Sequence, residues 1–226
     1  MDRLNCKLDW LSFTYKSSDT FDEKEIENFK VVFPELSCLW NDGIVVKVVK
    51  ENAHRFYNQV IGFNDYFSLA YRDTPLGGSR GNVNLGVNVS IPAHGLEYFF
   101  SLFGLQKNEV AKMLEIITLR GCNVSRLDLA YDDFSKTFKP SQFMGWFLNE
   151  QIVSNYKSAK YISSRQNSHD TFYLGSRSAG KLLRIYDKDG ESDGKINAIR
   201  SYCSTILIIN FFIIMLKSGA DPLERI

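Results

Sequence analysis

The chain has 226 residues and a formal net charge of +1, and 44% of its residues are hydrophobic. This composition predicts a folded protein with a sizeable core and excludes a disordered chain. Its four cysteines are scattered, a spacing that fits neither a zinc knuckle nor a disulfide framework. We therefore expect reduced thiols and a cytoplasmic location, and the N-terminus lacks the apolar run of a signal peptide.

The first third of the chain predicts several strands and one helix. Residues 7–15 are rich in aromatic and hydroxyl side chains, which is typical of a strand, whereas the apolar spacing in residues 21–32 indicates a helix. Residues 43–49 form a β-branched run, and residues 56–63 and 66–71 predict a further pair of strands.

The clearest alternation of the chain follows a Gly- and Pro-containing loop at residues 73–81. Residues 82–90, NVNLGVNVS, place apolar side chains on one face and hydrogen-bonding groups on the other. We expect a strand whose apolar face, formed by Val83, Leu85, Val87 and Val89, packs on a core.

The remaining elements complete the fold prediction. Helices are predicted at residues 93–102, 108–119 and 139–152, and strands are predicted at residues 124–133 and within 171–188. This order of elements predicts an α+β fold, with a mainly antiparallel sheet covered by helices on one face.

The segment at residues 171–188 reads as two short strands joined by a basic turn rich in Gly and Ser. Residues two apart on a strand point to one face, so Arg184, Tyr186 and Lys188 are predicted to lie side by side. The phenol would then sit between two positive charges, which favour the phenolate that a nucleophile requires. The alternative interpretation is that Tyr186, one of eleven tyrosines, merely packs on the sheet.

Acidic residues mark the predicted strand RLDLAYDD at residues 126–133. Alternation places Arg126, Asp128 and Asp132 on one face of this strand. Carboxylate oxygens are the ligands that Mg²⁺ and Mn²⁺ prefer, so Asp128 and Asp132 are candidate metal ligands. The alternative is a surface carboxylate pair that forms salt bridges with Arg126 and Lys136. The three histidines are isolated in the sequence and predict no histidine-based metal site.

Positive charge is concentrated between Lys160 and Lys188. Six basic and two acidic residues give this segment a charge of +4, and since the whole chain carries +1, the remainder carries −3. Ser176, Arg177 and Lys181 in and beside the turn, together with Arg126 of the acidic strand, are candidate DNA-binding residues. A solvated basic edge strand that protects the sheet from aggregation is the alternative interpretation.

The combination of RLDLAYDD with TFYLGSRSAGKLLRIYDKDGES resembles the replication initiation factors of rolling-circle plasmids and filamentous phages. The resemblance extends over roughly residues 7–199. It implies an endonuclease that binds a double-stranded origin and works with Mg²⁺ or Mn²⁺, generally as a dimer. It also implies that Tyr186 nicks one strand, forms a covalent phosphotyrosine and later rejoins the strand, with metal ligands at Asp128 and Asp132. Partners would be the origin and the displaced single strand, with no membrane.

The C-terminal residues depart from this family. An Arg-x-Glu strand is expected soon after RIYDK, but residues 200–226 run into an apolar segment instead. Its apolar core, residues 206–216, is too short for a bilayer span of about 20 residues. We therefore predict an initiator-like domain at residues 1–199 and a divergent, truncated or frame-shifted tail at residues 200–226. Three functions stay open: a tyrosine nickase, a non-catalytic origin-binding or regulatory protein, and a metal nuclease in which water attacks.

Overall fold

Antiparallel strands are the main regular secondary structure of the computed structural model. It describes residues 6–36, 40, 46–48, 56–76, 82–136, 138–151, 156, 158–163, 170–176, 181–191, 196 and 198–205. These fall into two units: the first unit comprises residues 9–126 and 211–226, and the second unit comprises residues 1–8 and 127–210. No helix in the described part of the chain is both long and apolar enough to cross a membrane.

The secondary-structure elements follow the predicted order closely. The strands are β1 (Cys6–Tyr15), β2 (Val46–Val48), β3 (Gln59–Phe63), β4 (Phe67–Tyr71), β5 (Val87–Pro92), β6 (Asn123–Asp133), β7 (Ala159–Ile162), β8 (Thr171–Ser176), β9 (Lys181–Asp187) and β10 (Ile199–Thr205). The helices are α1 (Glu25–Val32), α2 (Leu96–Ser101), α3 (Val110–Leu119), α4 (Pro140–Leu148) and α5 (Lys188–Glu191), with a 3₁₀ turn at Pro34–Leu36.

The first unit is organised around phenylalanine rings that helices bring onto a sheet ordered β2-β3-β4-β5-β1. Phe29 of α1 stacks on Phe33 with 4.8 Å between ring centroids, and Phe33 lies 5.6 Å from Phe13 of β1. Phe99 of α2 contacts Phe67 of β4 at 5.2 Å. All five rings are almost fully buried, so they form the hydrophobic core that holds these helices on the sheet.

The strand predicted at residues 82–90 begins only at Val87. Gly86 has a φ of +74°, which interrupts the extended backbone. Val83, predicted to be buried, is 44% exposed, whereas Asn84, predicted to face solvent, is buried. The Asn84 side chain donates to the Ser18 carbonyl and accepts from the Gly86 N–H, so it stabilises the bend rather than a strand.

The second unit has a sheet ordered β6-β10-β9-β8-β7, with antiparallel neighbours throughout. One face carries a buried apolar cluster of Phe172, Leu174, Ile185 and Ile199. Side chains of α4, including Phe143 and Phe147, pack against this cluster, with the Phe143 and Phe172 rings 5.9 Å apart. The other face of the same strands carries the charged residues considered below.

Strand β10 was not among the predicted elements. It pairs with β6 on one side and β9 on the other, so the residues directly after Ile199 complete the centre of this sheet. The expected strand after RIYDK is therefore present as far as Thr205, without its carboxylate. The apolar segment at residues 206–216 lies outside the described residues.

Candidate active site

Strand register assembles one polar face in the second unit. Arg200 of β10 lies directly opposite both Asp132 of β6 and Tyr186 of β9. Two residues further along β10, Tyr202 lies opposite Ala130 and Arg184. Because side chains two apart share a face, the acidic strand and the tyrosine strand present their polar residues to the same side. The sheet thus brings together Asp128, Asp132, Arg184, Tyr186, Arg200 and Tyr202.

Asp132 is held by two cations. Arg200 forms a bidentate salt bridge with it, with Nε 2.5 Å from Oδ1 and Nη2 2.8 Å from Oδ2. Lys7 of β1 adds a contact of 2.5 Å from Nζ to Oδ2. Burial opposes ionisation of Asp132, but the hydrogen bonds and charges of Arg200 and Lys7 outweigh it and lower the pKa of the carboxyl. Both carboxylate oxygens are therefore engaged in ion pairs.

The lowered pKa of Asp132 predicts a loss of stability in acid. A carboxyl whose folded pKa lies below its unfolded value of about 3.9 stabilises the fold above that value. This stabilisation is lost as the pH falls from about 5 through the folded pKa. We expect the urea midpoint of the wild type to fall over this range, and Asp132→Asn to flatten the fall. Replacement of an exposed carboxylate, Glu23→Gln, is the control, and an unchanged acid slope in Asp132→Asn would contradict the assignment.

Asp128 is fully buried and accepts a hydrogen bond from the Tyr202 hydroxyl. Tyr202 itself is 7% exposed. The two residues are 74 positions apart in the chain and meet because β10 lies against β6. A buried carboxylate needs such donors, because an unsatisfied one is costly.

Tyr186 lies beside the cations predicted for it. The Arg184 guanidinium carbon is 3.9 Å from the centroid of the tyrosine ring, and Lys188 Nζ is 5.8 Å from it. Lys188 is the first residue of α5 rather than part of the strand, and its N–H bonds to the Ala198 carbonyl. Only 5% of Tyr186 is exposed. The catalytic roles of these three residues remain predictions.

The polar face lies largely in a part of the chain that is similar to a known family. Residues 122–201 match the family described as replication initiation factor. Over these residues the chain is similar to that family. The matched region contains the acidic strand, the tyrosine strand and the first residues of β10, so the resemblance predicted from the sequence is confirmed.

A solved structure gives the same fold for nearly the whole chain. The protein is similar to a rolling circle replication initiator protein from Geobacillus stearothermophilus, with a TM-score of 0.61 and 19% sequence identity. The similarity covers 90% of this chain and 74% of that one. No match was found among curated protein sequences.

The DNA-binding residues predicted in this chain lie in different parts of its structure. Ser176 ends β8 opposite Lys181 of β9. Arg177 and the side chain of Lys181 lie outside the described residues. Arg126 belongs to the first unit, where its guanidinium lies 4.1 Å from the Trp10 ring. Contact of these residues with DNA remains a prediction.

The two predicted metal ligands do not fit a shared divalent ion. Asp128 and Asp132 are four residues apart on β6, which separates their Cα atoms by about 13 Å. Two carboxylates at this separation cannot both reach one Mg²⁺ at about 2.1 Å. Among the described residues, no group of three or more His, Cys, Asp or Glu side chains is placed to hold a metal. The sequence prediction allowed about 7 Å for every two residues along this face, and the spacing of four residues doubles that distance.

Three polar residues of this face were missed in the sequence: Lys7, Arg200 and Tyr202. Arg200 and Tyr202 stand in an Arg-x-Tyr order where the family resemblance led us to expect Arg-x-Glu. The arginine two residues before a polar side chain was the sequence signal from which β10 could have been predicted. Lys7 carried none, because its contact with Asp132 joins residues 125 positions apart.

Proposed function

We propose that this protein is a rolling-circle replication initiator that binds a double-stranded origin and nicks one strand with Tyr186. The observation that carries the proposal is the tyrosine ring flanked by Arg184 and Lys188 and lying opposite Arg200, in a segment of the replication initiation factor family. Positive charges around a phenol favour its ionised form.

In the proposed reaction, Tyr186 Oη attacks the phosphorus of a phosphodiester. One new phosphorus–oxygen bond forms to the tyrosine, and one bond to a sugar oxygen breaks. The phenol proton passes to solvent, and the departing sugar oxygen takes up a proton. Arg184 and Lys188 offset the negative charge that develops on the phosphate. Attack by a sugar hydroxyl on the phosphotyrosine reverses the step and rejoins the strand without ATP.

The burial of Tyr186 adds a requirement to this mechanism. With 5% of the residue exposed, a phosphodiester reaches the hydroxyl only after the covering residues move. We therefore propose that binding of the origin opens this face. A divalent ion would supply further charge neutralisation in such chemistry, but the acidic pair does not fit one, and no step is assigned to it.

A covalent protein–DNA adduct tests the proposal. The purified chain is incubated with Mg²⁺ or Mn²⁺ and supercoiled plasmids that carry the DNA surrounding its own coding sequence. We expect nicked circles and an adduct that survives denaturation, both lost in Tyr186→Phe. Tyr131→Phe is the matched control, because Tyr131 lies on the opposite face of β6. An adduct retained in Tyr186→Phe would contradict the assigned nucleophile.

A non-catalytic origin-binding protein is the second candidate. The observation that favours it is the commitment of the polar face to internal contacts, with Asp132 in ion pairs and Tyr186 almost fully covered. The same incubation separates the candidates, because this protein would shift origin DNA in a gel without nicking it. Nicking that survives Tyr186→Phe without any adduct would indicate a nuclease in which water attacks.

A further inference from the structure

Strand β10 contacts both carboxylates that the acidic strand presents on the polar face. Arg200 holds Asp132, and Tyr202 holds Asp128. We propose that these two contacts close the acidic strand to divalent cations in this protein. The inference concerns metal binding alone and does not depend on the proposed nicking activity.

The first contact removes Asp132 as a ligand. Its two oxygens accept three short bonds from Arg200 and Lys7, so the local charge around one carboxylate is already net positive. A divalent ion would have to break the bidentate pair and approach two fixed cations. Charge-assisted bidentate pairs of this kind are among the stronger polar contacts in proteins. The arrangement therefore disfavours any cation at this end of the strand.

The second contact removes Asp128. The residue is fully buried, and the Tyr202 hydroxyl donates to its Oδ2. A protonated phenol is a poor ligand for Mg²⁺ or Mn²⁺, which prefer carboxylates and water. A cation at Asp128 would have to displace the tyrosine ring from the site. Asp132, the other carboxylate of this face, is about 13 Å away along the strand.

One residue, Tyr202, is proposed to prevent cation binding at Asp128, and we expect one substitution of this residue to permit binding. Tyr202 lies opposite Ala130 and Arg184. The Arg184 guanidinium carbon lies 3.9 Å from the centroid of the Tyr186 ring. The Tyr202 hydroxyl reaches Asp128, so Tyr202→Glu places a second carboxylate close to Asp128. That pair supplies the oxygen ligands of a Mn²⁺ site.

Mn²⁺ binding to the full chain tests this inference directly. Binding is measured as the loss of the electron paramagnetic resonance signal of the free ion. We expect no saturable site in the wild type and a saturable site in Tyr202→Glu, with affinity raised roughly tenfold or more. Tyr202→Gln is the matched control, because it has the shape of the glutamate variant at the same position of β10 without the carboxylate charge. The control should bind Mn²⁺ as weakly as the wild type does.

Two results would overturn the inference. One is a saturable wild-type site that Asp128→Asn or Asp132→Asn abolishes, because the carboxylates would then be open to metal. The other is a folded Tyr202→Glu variant, checked by circular dichroism, that gains no Mn²⁺ binding. If Tyr202→Glu does not fold, the wild-type measurement with the two Asn variants still decides, since it requires no altered tyrosine.

Discussion

Arg200→Met is expected to destabilise the protein by about 3–5 kcal/mol, the cost of breaking a buried ion pair by removing one partner. The side chains of Arg200 and Asp132 are 7% and 4% exposed, so the carboxylate left behind is poorly solvated. Lys7 compensates only in part, because it reaches a single oxygen from a side chain that is 44% exposed. The free energy of unfolding from urea titration measures the loss.

A double variant separates the cost of leaving one buried charge unpaired from the net contribution of the ion pair to stability. Arg200→Met combined with Asp132→Leu removes both charges, and buried pairs replaced by apolar residues are often close to neutral in stability. We expect the double variant to recover most of the loss. The surface pair of Lys112 and Glu109, in which Lys112 is exposed, supplies the control, since Lys112→Met should change stability by less than about 1 kcal/mol. A double variant as unstable as Arg200→Met would contradict the explanation that the unpaired Asp132 carboxylate causes the loss of stability.

Gly86→Ala is expected to cost about 2–5 kcal/mol. A Cβ at this position would lie 2.0 Å from the Tyr15 carbonyl oxygen and 2.7 Å from Lys16 Cγ. The backbone φ of +74° adds roughly 1–2 kcal/mol for an L-residue in the left-handed region, and the overpacked backbone adds roughly 1–3 kcal/mol. The clash partner is backbone of β1, which cannot rotate away. Thermal or urea unfolding of the full chain measures the effect.

Gly104→Ala isolates the conformational part of this effect. Gly104 also has a positive φ, +67°, but an added Cβ meets nothing within 4 Å. We expect it to lose only about 1–2 kcal/mol. Equal losses in Gly86→Ala and Gly104→Ala would mean that the close approach to Tyr15 contributes nothing.

Periodicity predicted most elements of this fold, because apolar spacing is a local property that each segment carries in its own sequence. Residues 82–90 show the limit of this reasoning. The alternation there is regular, yet the positive φ of Gly86 and the hydrogen bonds of Asn84 interrupt the strand before Val87. Backbone conformation at one glycine thus overrode the alternating pattern of the four residues before it.

Tertiary contacts explain what was missed at the candidate site. The alternation in β9 predicted that Arg184 and Tyr186 would share a face, because that depends on one strand alone. The salt bridge from Arg200 to Asp132 joins residues 68 positions apart and depends on β10 lying beside β6. No spacing rule predicts such a pairing. Strand β10 was also missed because the residues that follow Thr205 are apolar, and the whole segment was therefore interpreted as a divergent tail. Its residues Arg200 and Tyr202 lie at the centre of the site.

The identity of the residue bonded to DNA tests the central claim most directly. After incubation with the supercoiled substrate, the denatured protein is digested with nuclease and trypsin, and the peptide that carries a nucleotide remnant is sequenced by mass spectrometry. We expect a phosphodiester remnant on Tyr186. A remnant on Tyr202 or another residue, or origin nicking without any modified peptide, would contradict it.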